Sequence, residues 1–373
     1  MIERLLKRKI ENQAHDGKAI ILLGSRQTGK TTLLQQMFPE NDENFWLYGD
    51  ELDVQALMRN ASADRLRQVF GNKKTVIIDE AQRIDDVGLR LKLITDQMKD
   101  IRLIVTGSSA FELRSKVNEP LTGRKWEYQM FPLSFAEMVA HHGLLTEKRL
   151  LPQRLVYGYY PEVVTNVGSE KKTLKSLTDS YLYKDILSYG NIKKSDKIVS
   201  LLQAIAYQVG SQVSYNELAQ TVGIDAKTVE SYIQILEKSF IIFRLPSFSR
   251  NLRNELKHSK KIYFYDNGIR NAILSNLSPI ETRTDQGALW ENFIISERMK
   301  HIEYNDIWCN RYFWRTKEQQ EIDYLEEEDG AFRAYEFKYN PKRQSKLPKI
   351  FGEHYDQVVF QEITPENMED FVL

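Results

Sequence analysis

Eight consecutive residues, Gly24-Ser25-Arg26-Gln27-Thr28-Gly29-Lys30-Thr31, have the spacing G-x-x-x-x-G-K-[ST]. The chemistry of that pattern is phosphate binding. Glycines let successive backbone N–H groups turn inward around an anion, and a helix that follows points the positive end of its dipole at the same place. Lys30 has the reach for β- and γ-phosphates and Thr31 offers a hydroxyl to Mg²⁺, while Thr32 completes the binding set. About fifty residues on, the apolar run Thr75-Val76-Ile77-Ile78 ends in Asp79-Glu80. Asp79 would hold Mg²⁺, usually through water, and Glu80 would polarise the attacking water. A third run, Ile101 to Val105, delivers Thr106-Gly107-Ser108-Ser109. A hydroxyl there can sense a γ-phosphate or hold the lytic water, and it can equally cap the next helix. Jointly these residues imply a nucleoside triphosphate, ATP, bound with Mg²⁺.

Such groups work only if strands and helices place them. Ala19-Ile20-Ile21-Leu22-Leu23 reads as a buried strand ahead of the glycine loop, and Thr32 to Met37 as a helix with no breaker before Pro39. Phe45 to Tyr48 gives another strand. Short strands alternating with helices from Ala19 to about Phe135 predict a parallel α/β sheet. At 373 residues the chain exceeds what one core usually supports. Lys+Arg and Asp+Glu both number 52, so any basic surface must be local. One cysteine, Cys309, excludes an intramolecular disulfide and points to a reducing compartment. No apolar run reaches the ~18 residues of a membrane span, and Met1 to Ile10 lacks a signal-peptide core. The expectation is a soluble, cytoplasmic, multidomain protein without a membrane partner. His141-His142 has no matching Cys or carboxylate cluster and reads as surface or turn.

From Leu150 to Gly190 the pattern is helical, punctuated by Tyr157-Gly158-Tyr159-Tyr160-Pro161, and Tyr181 to Ile186 reads as an aromatic helix face packed in a core. Helices around Leu201–Val209 and Tyr215–Thr221, a turn at Val222-Gly223-Ile224-Asp225, a third helix over Thr228–Lys238 and a strand over Ile241–Leu245 compose a winged helix-turn-helix pattern. Lys227, Thr228 and Ser231 fall on or near its recognition helix, and the basic stretch from Arg250 to Lys261, with Lys257, Lys260 and Lys261, fits a wing. Two readings stand here, contact with DNA and a packing module.

In the C-terminal third, Gly287 to Ile295 reads as an amphipathic helix with Trp290, Phe293 and Ile294 on its buried stripe. A strand, Tyr312-Phe313-Trp314-Arg315, precedes Glu321-Ile322-Asp323-Tyr324-Leu325, an acidic turn over Glu326–Gly330, and Ala334-Tyr335-Glu336-Phe337-Lys338. Period-two alternation places Glu336 and Lys338 on one face of a hairpin, with Asp323 on the facing strand. Trp314-Arg315 and Lys342-Arg343 could line a nucleic-acid path or be ordinary surface.

With Asp79-Glu80-Ala81-Gln82, Thr106 to Ser109, and Leu121-Thr122-Gly123-Arg124 leading into Phe131-Pro132-Leu133-Ser134-Phe135, the chain resembles the AAA-superfamily ATPases of bacteria and archaea that are fused to a C-terminal domain of unknown function. The resemblance implies Ser108 as the first sensor and Arg124 as an arginine finger; the alternative for Arg124 is a salt-bridged surface residue. The helix, the Glu-Ile-Asp strand and the Glu-x-Lys strand resemble the PD-(D/E)XK nuclease core. That likeness implies Asp323 and Glu336 as Mg²⁺ ligands, Lys338 as the catalytic lysine and Glu291 as an auxiliary acid. The expected fold is thus α/β: a P-loop AAA-type doubly wound parallel sheet over 1–145, a helical lid over 146–195, a winged helix-turn-helix over 196–275, and a PD-(D/E)XK nuclease-like α/β domain over 276–373. The expected activity is ATP hydrolysis coupled to a DNA-facing winged helix and a Mg²⁺-dependent nuclease-like domain. The rival is a nucleotide-gated scaffold that binds nucleic acid or protein without cutting.

Overall fold

The computed structural model describes residues 2–13, 16–108, 110–187, 195–249, 260–316, 318–340 and 344–373, the side chains of 110–112, 180–187 and 195 excepted. The chain divides into two compact units, Met1–Pro132 with Lys238–Phe240, and Leu133–Glu237 with Ile241–Leu373.

The first unit is built on a five-stranded sheet of order β2-β3-β4-β1-β5, whose strands are β1 (Ala19–Leu23), β2 (Asn44–Tyr48), β3 (Thr75–Asp79), β4 (Arg102–Gly107) and β5 (Lys125–Gln129). All its pairings are parallel. Every residue of β1 and β3 is buried, which explains why both read as continuous apolar runs: helices cover a parallel sheet on both faces. Strand β4 runs to Gly107, so Thr106 lies within it. Strand β5 had no apolar signature because it is a polar edge, Lys-Trp-Glu-Tyr-Gln, with two exposed positions. The helix Lys30–Met37 begins directly after Gly29.

Helix Phe135–His142, expected with the ATPase core, belongs to the second unit. Ser134 and Glu137 close a reciprocal capping box at its start, and the Phe135 N–H donates to Glu297 Oε2 at 2.7 Å. Helices Leu144–Tyr157, Pro161–Thr165 and Glu170–Leu187 follow. Next come helices Ser195–Tyr207, Tyr215–Val222 and Ala226–Lys238, with Gly223 at φ +73° ending the middle one. A small antiparallel sheet of order β6-β8-β7 accompanies them: β6 (Gln212–Val213), β7 (Ile242–Pro246) and β8 (Lys260–Phe264).

The last sheet has the order β12-β11-β10-β9, with β9 (Asn310–Arg315), β10 (Glu321–Glu328), β11 (Ala331–Phe337) and β12 (Val358–Ile363). β9, β10 and β11 are antiparallel and β12 joins β11 in parallel. Three expectations change here. Glu326 to Glu328 belong to β10 rather than to an acidic turn, because Glu326 is buried against Arg298 through paired bonds of 2.7 and 2.8 Å. The helix around Trp290 runs from Gln286 to Tyr304 and is buried nearly all round rather than along one stripe. It packs against β8, β11 and the helix Leu144–Tyr157, so it has no broad solvent face. Trp314, expected either on a DNA path or on ordinary surface, sits in an apolar cluster with Ile322, Leu325, Phe332 and Phe351. Arg250 to Ser259, Lys342-Arg343, and the side chains of Tyr181 to Ile186 lie outside the described residues. No helix among the described residues is long and apolar enough to cross a membrane.

Candidate functional site

In the first unit the functional groups gather at the carboxyl ends of β1, β3 and β4. Gly24 follows β1, and a Cβ there would stand 2.2 Å from the Met130 carbonyl oxygen, so no larger residue fits. Gly29, at φ +93°, makes the left-handed step into the helix. Between them Thr28 Oγ1 donates to the Ser25 carbonyl at 2.9 Å. The buried Lys30 ammonium donates to the Gly24 and Ser25 carbonyls, each at 2.9 Å, and so spans the loop. Arg26 and Gln27 occupy the turn, with Gln27 at φ +59°, and Thr32 is exposed on the first turn of the helix.

One hydrogen bond joins loop to sheet: Thr31 Oγ1 donates to Asp79 Oδ2 at 2.8 Å. The other Asp79 oxygen accepts from the Thr106 hydroxyl, which in turn accepts from the Glu80 N–H at 3.0 Å. Thr31 and Asp79 thereby present adjacent oxygens suited to a hard divalent cation. Glu80 follows β3 in a left-handed conformation, φ +51°. Its Oε2 accepts from Ser108 Oγ at 2.8 Å and from Gln82 Nε2, while Gln82 Nε2 also reaches Ser108 Oγ at 3.1 Å. Burial alone would raise the Glu80 pKa. Lys30, Ser108, Gln82 and Arg26 outweigh it and hold the carboxyl below its ordinary value. Glu80 is therefore an ionised acceptor, aimed by two neighbours.

Arg124 is not brought to this place. It precedes β5, which runs parallel to β1, so it lies at the opposite end of the sheet, half-buried and paired with Asp96 at 2.7 Å. Ser109 lies outside the described residues. Three participants carried no assigned role in the sequence. Gln82 and Thr106 lie inside sequence motifs, but their roles appear only once β3 and β4 are neighbours. Arg4 had no motif at all: its buried guanidinium donates to the Thr28 carbonyl at 2.6 Å and the Phe131 carbonyl at 2.7 Å, bracing the glycine loop from behind.

The second unit holds another polar cluster, where β8, the long helix Gln286–Tyr304, β10 and β11 meet. Asp323 and Glu336 lie beside one another, one step from the Tyr324–Tyr335 pair of the hairpin. Asp323 Oδ2 accepts from the Phe337 N–H at 3.0 Å, and Glu336 Oε1 from Lys338 Nζ at 2.7 Å. Glu291 accepts from the Tyr263 hydroxyl at 2.6 Å. Burial, reinforced for Glu336 by the Asp323 charge, raises the pKa of both hairpin acids. Lys261, expected on a solvent-facing basic wing, is 2% exposed. Its ammonium stands 3.0 Å from Glu291, 2.7 Å from Glu321 and 3.8 Å from Asp323. Burial would lower its pKa, but these carboxylates raise it above the usual lysine value. Among the described residues no group of three or more His, Cys, Asp or Glu side chains is arranged to hold a metal. His142 binds Glu147 at 2.6 Å.

Residues 16–139 match the family described as an AAA domain. Residues 148–280 and 286–367 match two domains of unknown function, DUF8612 and DUF4143. An uncharacterized protein of Mycobacterium tuberculosis is 24% identical over 334 residues, covering 88% of this chain and 72% of that protein. One of Methanocaldococcus jannaschii is 25% identical over 334 residues, covering 78% and 70%. Among solved structures, a Walker-type ATPase of Pyrococcus abyssi superposes with a TM-score of 0.53 at 15% identity, over 74% of this chain and 96% of that one. At that identity the likeness is one of fold.

Proposed function

We propose that this chain, which carries an AAA-type P-loop ATPase domain over residues 16–139, binds ATP with Mg²⁺ and hydrolyses it, and that its second unit is a nucleotide-gated scaffold. The observation that carries the first half is the Thr31–Asp79 bond of 2.8 Å, with Lys30 spanning the same loop. Residues Gly24 to Thr31 fit a polyphosphate: Gly24 and Gly29 permit the inward-turned loop, and the helix from Lys30 points its amino end toward it. Lys30 would bind β- and γ-phosphate oxygens, and Thr31 and Asp79 would hold Mg²⁺, which when bound neutralises charge on those oxygens. Glu80 orients water and accepts its proton, while Ser108 and Gln82 keep its carboxylate in place. The test is Glu80→Gln, which should retain ATP binding while hydrolysis collapses. Wild-type turnover by this variant would remove Glu80 from its role.

For the second unit, Lys261 within the carboxylate cluster favours a scaffold over a nuclease. The cleaving alternative draws on one observation: Asp323, Glu336 and Lys338 do converge at the hairpin. In that reading the two acids would be Mg²⁺ ligands and Lys338 would stabilise developing charge, with Glu291 assisting. Nucleic acid would meet the helix Ala226–Lys238, whose Lys227 and Ser231 are exposed and whose Thr228 is tied to Asp225 at 2.6 Å. A plasmid-nicking assay with Mg²⁺ or Mn²⁺, comparing wild type, Asp323→Ala and Lys338→Ala, separates the two. Nicking that both substitutions abolish would replace the scaffold by a nuclease.

A further inference from the structure

We propose that Lys261 is the resident cation of the carboxylate cluster in the second unit, and that the cluster takes no divalent metal while Lys261 is in place. This deepens the scaffold reading and rests on it. The fit is local and stereochemical. An ammonium has three N–H donors and no acceptor. Lys261 directs them at Glu291 Oε1 and Glu321 Oε1, at 3.0 and 2.7 Å, with Asp323 Oδ1 at 3.8 Å and the ring of Phe313 centred 5.5 Å away.

Other donors also engage these acids. Glu291 Oε1 accepts a second bond from Tyr263, Asp323 Oδ2 accepts from the Phe337 backbone, and Glu336 holds Lys338. Arg315 stands 3.6 Å from the second oxygen of Glu321. Gly210 passes close to Glu291: a Cβ there would lie 3.2 Å from its carboxyl, a contact that glycine avoids. A Mg²⁺ ion requires near-octahedral oxygens at 2.0–2.1 Å and keeps several waters. Here a buried alkylammonium occupies the centre of the acids, and a second cation would meet its charge at close range in poorly solvated surroundings. The ammonium cannot swing aside cheaply, because its stem is inside β8 and its side chain is 3% exposed. Lys261 also ties the β6-β8-β7 sheet to β10, which gives the cluster an architectural use with no metal.

The full-length chain decides this by titration with Mn²⁺ in the absence of nucleotide, followed by electron paramagnetic resonance. Wild type and Asp323→Asn should take up Mn²⁺ equally. Lys261→Met should gain one ion per chain, bound at least about tenfold more tightly than any in wild type, and Lys261→Met with Asp323→Asn should lose it again. Uptake by wild type that Asp323→Asn abolishes overturns the proposal, as does a folded Lys261→Met that gains nothing. If Lys261→Met fails to fold, wild type against Asp323→Asn decides alone. Plasmid cleavage that Asp323→Ala and Lys338→Ala both abolish would sink the scaffold reading; Asp323-dependent Mn²⁺ uptake sinks this one, with or without cleavage.

Discussion

Arg4 offers the sharpest check on how the nucleotide loop is held. Arg4 is 7% exposed, and its guanidinium donates to two backbone carbonyls, Thr28 at 2.6 Å and Phe131 at 2.7 Å. Hydrogen bonds with one charged partner contribute about 1.5–3 kcal/mol each, so Arg4→Ala forfeits about 3–6 kcal/mol before relaxation. Water entering the gap can serve the freed carbonyls, which leaves a net loss of about 2–4 kcal/mol. Part of that loss falls on the conformation of the loop, and a cost of about 1.4 kcal/mol there weakens ATP binding about tenfold. Arg4→Lys should recover little, because a point ammonium cannot serve two carbonyls as the planar fork does. Urea denaturation gives the first number and calorimetric titration with ATP and Mg²⁺ the second. An Arg4→Ala protein with the wild-type denaturation midpoint and the wild-type ATP affinity would refute the bracing role.

Glu80→Gln should lower turnover by about 10²–10⁴ with ATP affinity nearly unchanged, in single-turnover hydrolysis beside equilibrium binding. Asp285 is held at about 2 because hydrogen bonds and charge from Arg283 and Arg270 outweigh its burial. Its stabilisation is therefore complete above 3.8 and disappears as pH falls through about 2. Asp285→Asn should lose about 1 kcal/mol at neutral pH in chemical denaturation, the full shift being reduced by solvent screening of this half-buried group. Glu291 behaves oppositely. Its pKa is pushed up to about 7, chiefly by burial, so its contribution is fully present below 4.5 and is lost as pH rises through about 7. A Glu291→Gln protein should show a flatter loss of stability between pH 5 and 8; an unchanged slope would contradict the assignment.

What could be read ahead of the structure followed from how local each signal is. The glycine loop is contiguous, and β1 and β3 announce themselves because helices on both faces force every residue to be apolar. Strand β5 escaped because its edge position leaves it polar. Arg4 escaped for a different reason: its two partners lie 24 and 127 residues away, beyond any spacing rule. Lys261 belongs by sequence to a basic wing, yet it is buried. Its neighbours in sequence are cationic, and only the packing of β8 on the long helix and β10 turns it inward. The Asp323, Glu336 and Lys338 group was legible as a hairpin face, but not the ammonium seated among its acids.

Two glutamates, Glu80 and Glu291, show why placement decides chemistry. Both are desolvated and both face a lysine, yet their pKa values move in opposite directions. Glu80 receives hydrogen bonds from Ser108 and Gln82 and has the charges of Lys30 and Arg26 nearby, so its anion is solvated by the protein. Glu291 must share Lys261 with Glu321 and Asp323, and the Asp323 charge pushes its pKa upward. A carboxylate with its own cations and donors stays ionised and can accept a hydrogen bond that aligns water. One that competes with other acids for a single buried ammonium is poised to hold that ammonium. Turnover by this chain should therefore respond to Glu80 and be indifferent to Glu291: Glu291→Gln should leave ATP hydrolysis within about twofold of wild type while shifting stability. A fall comparable to that of Glu80→Gln would mean that the two clusters are chemically coupled, contrary to this division of labour.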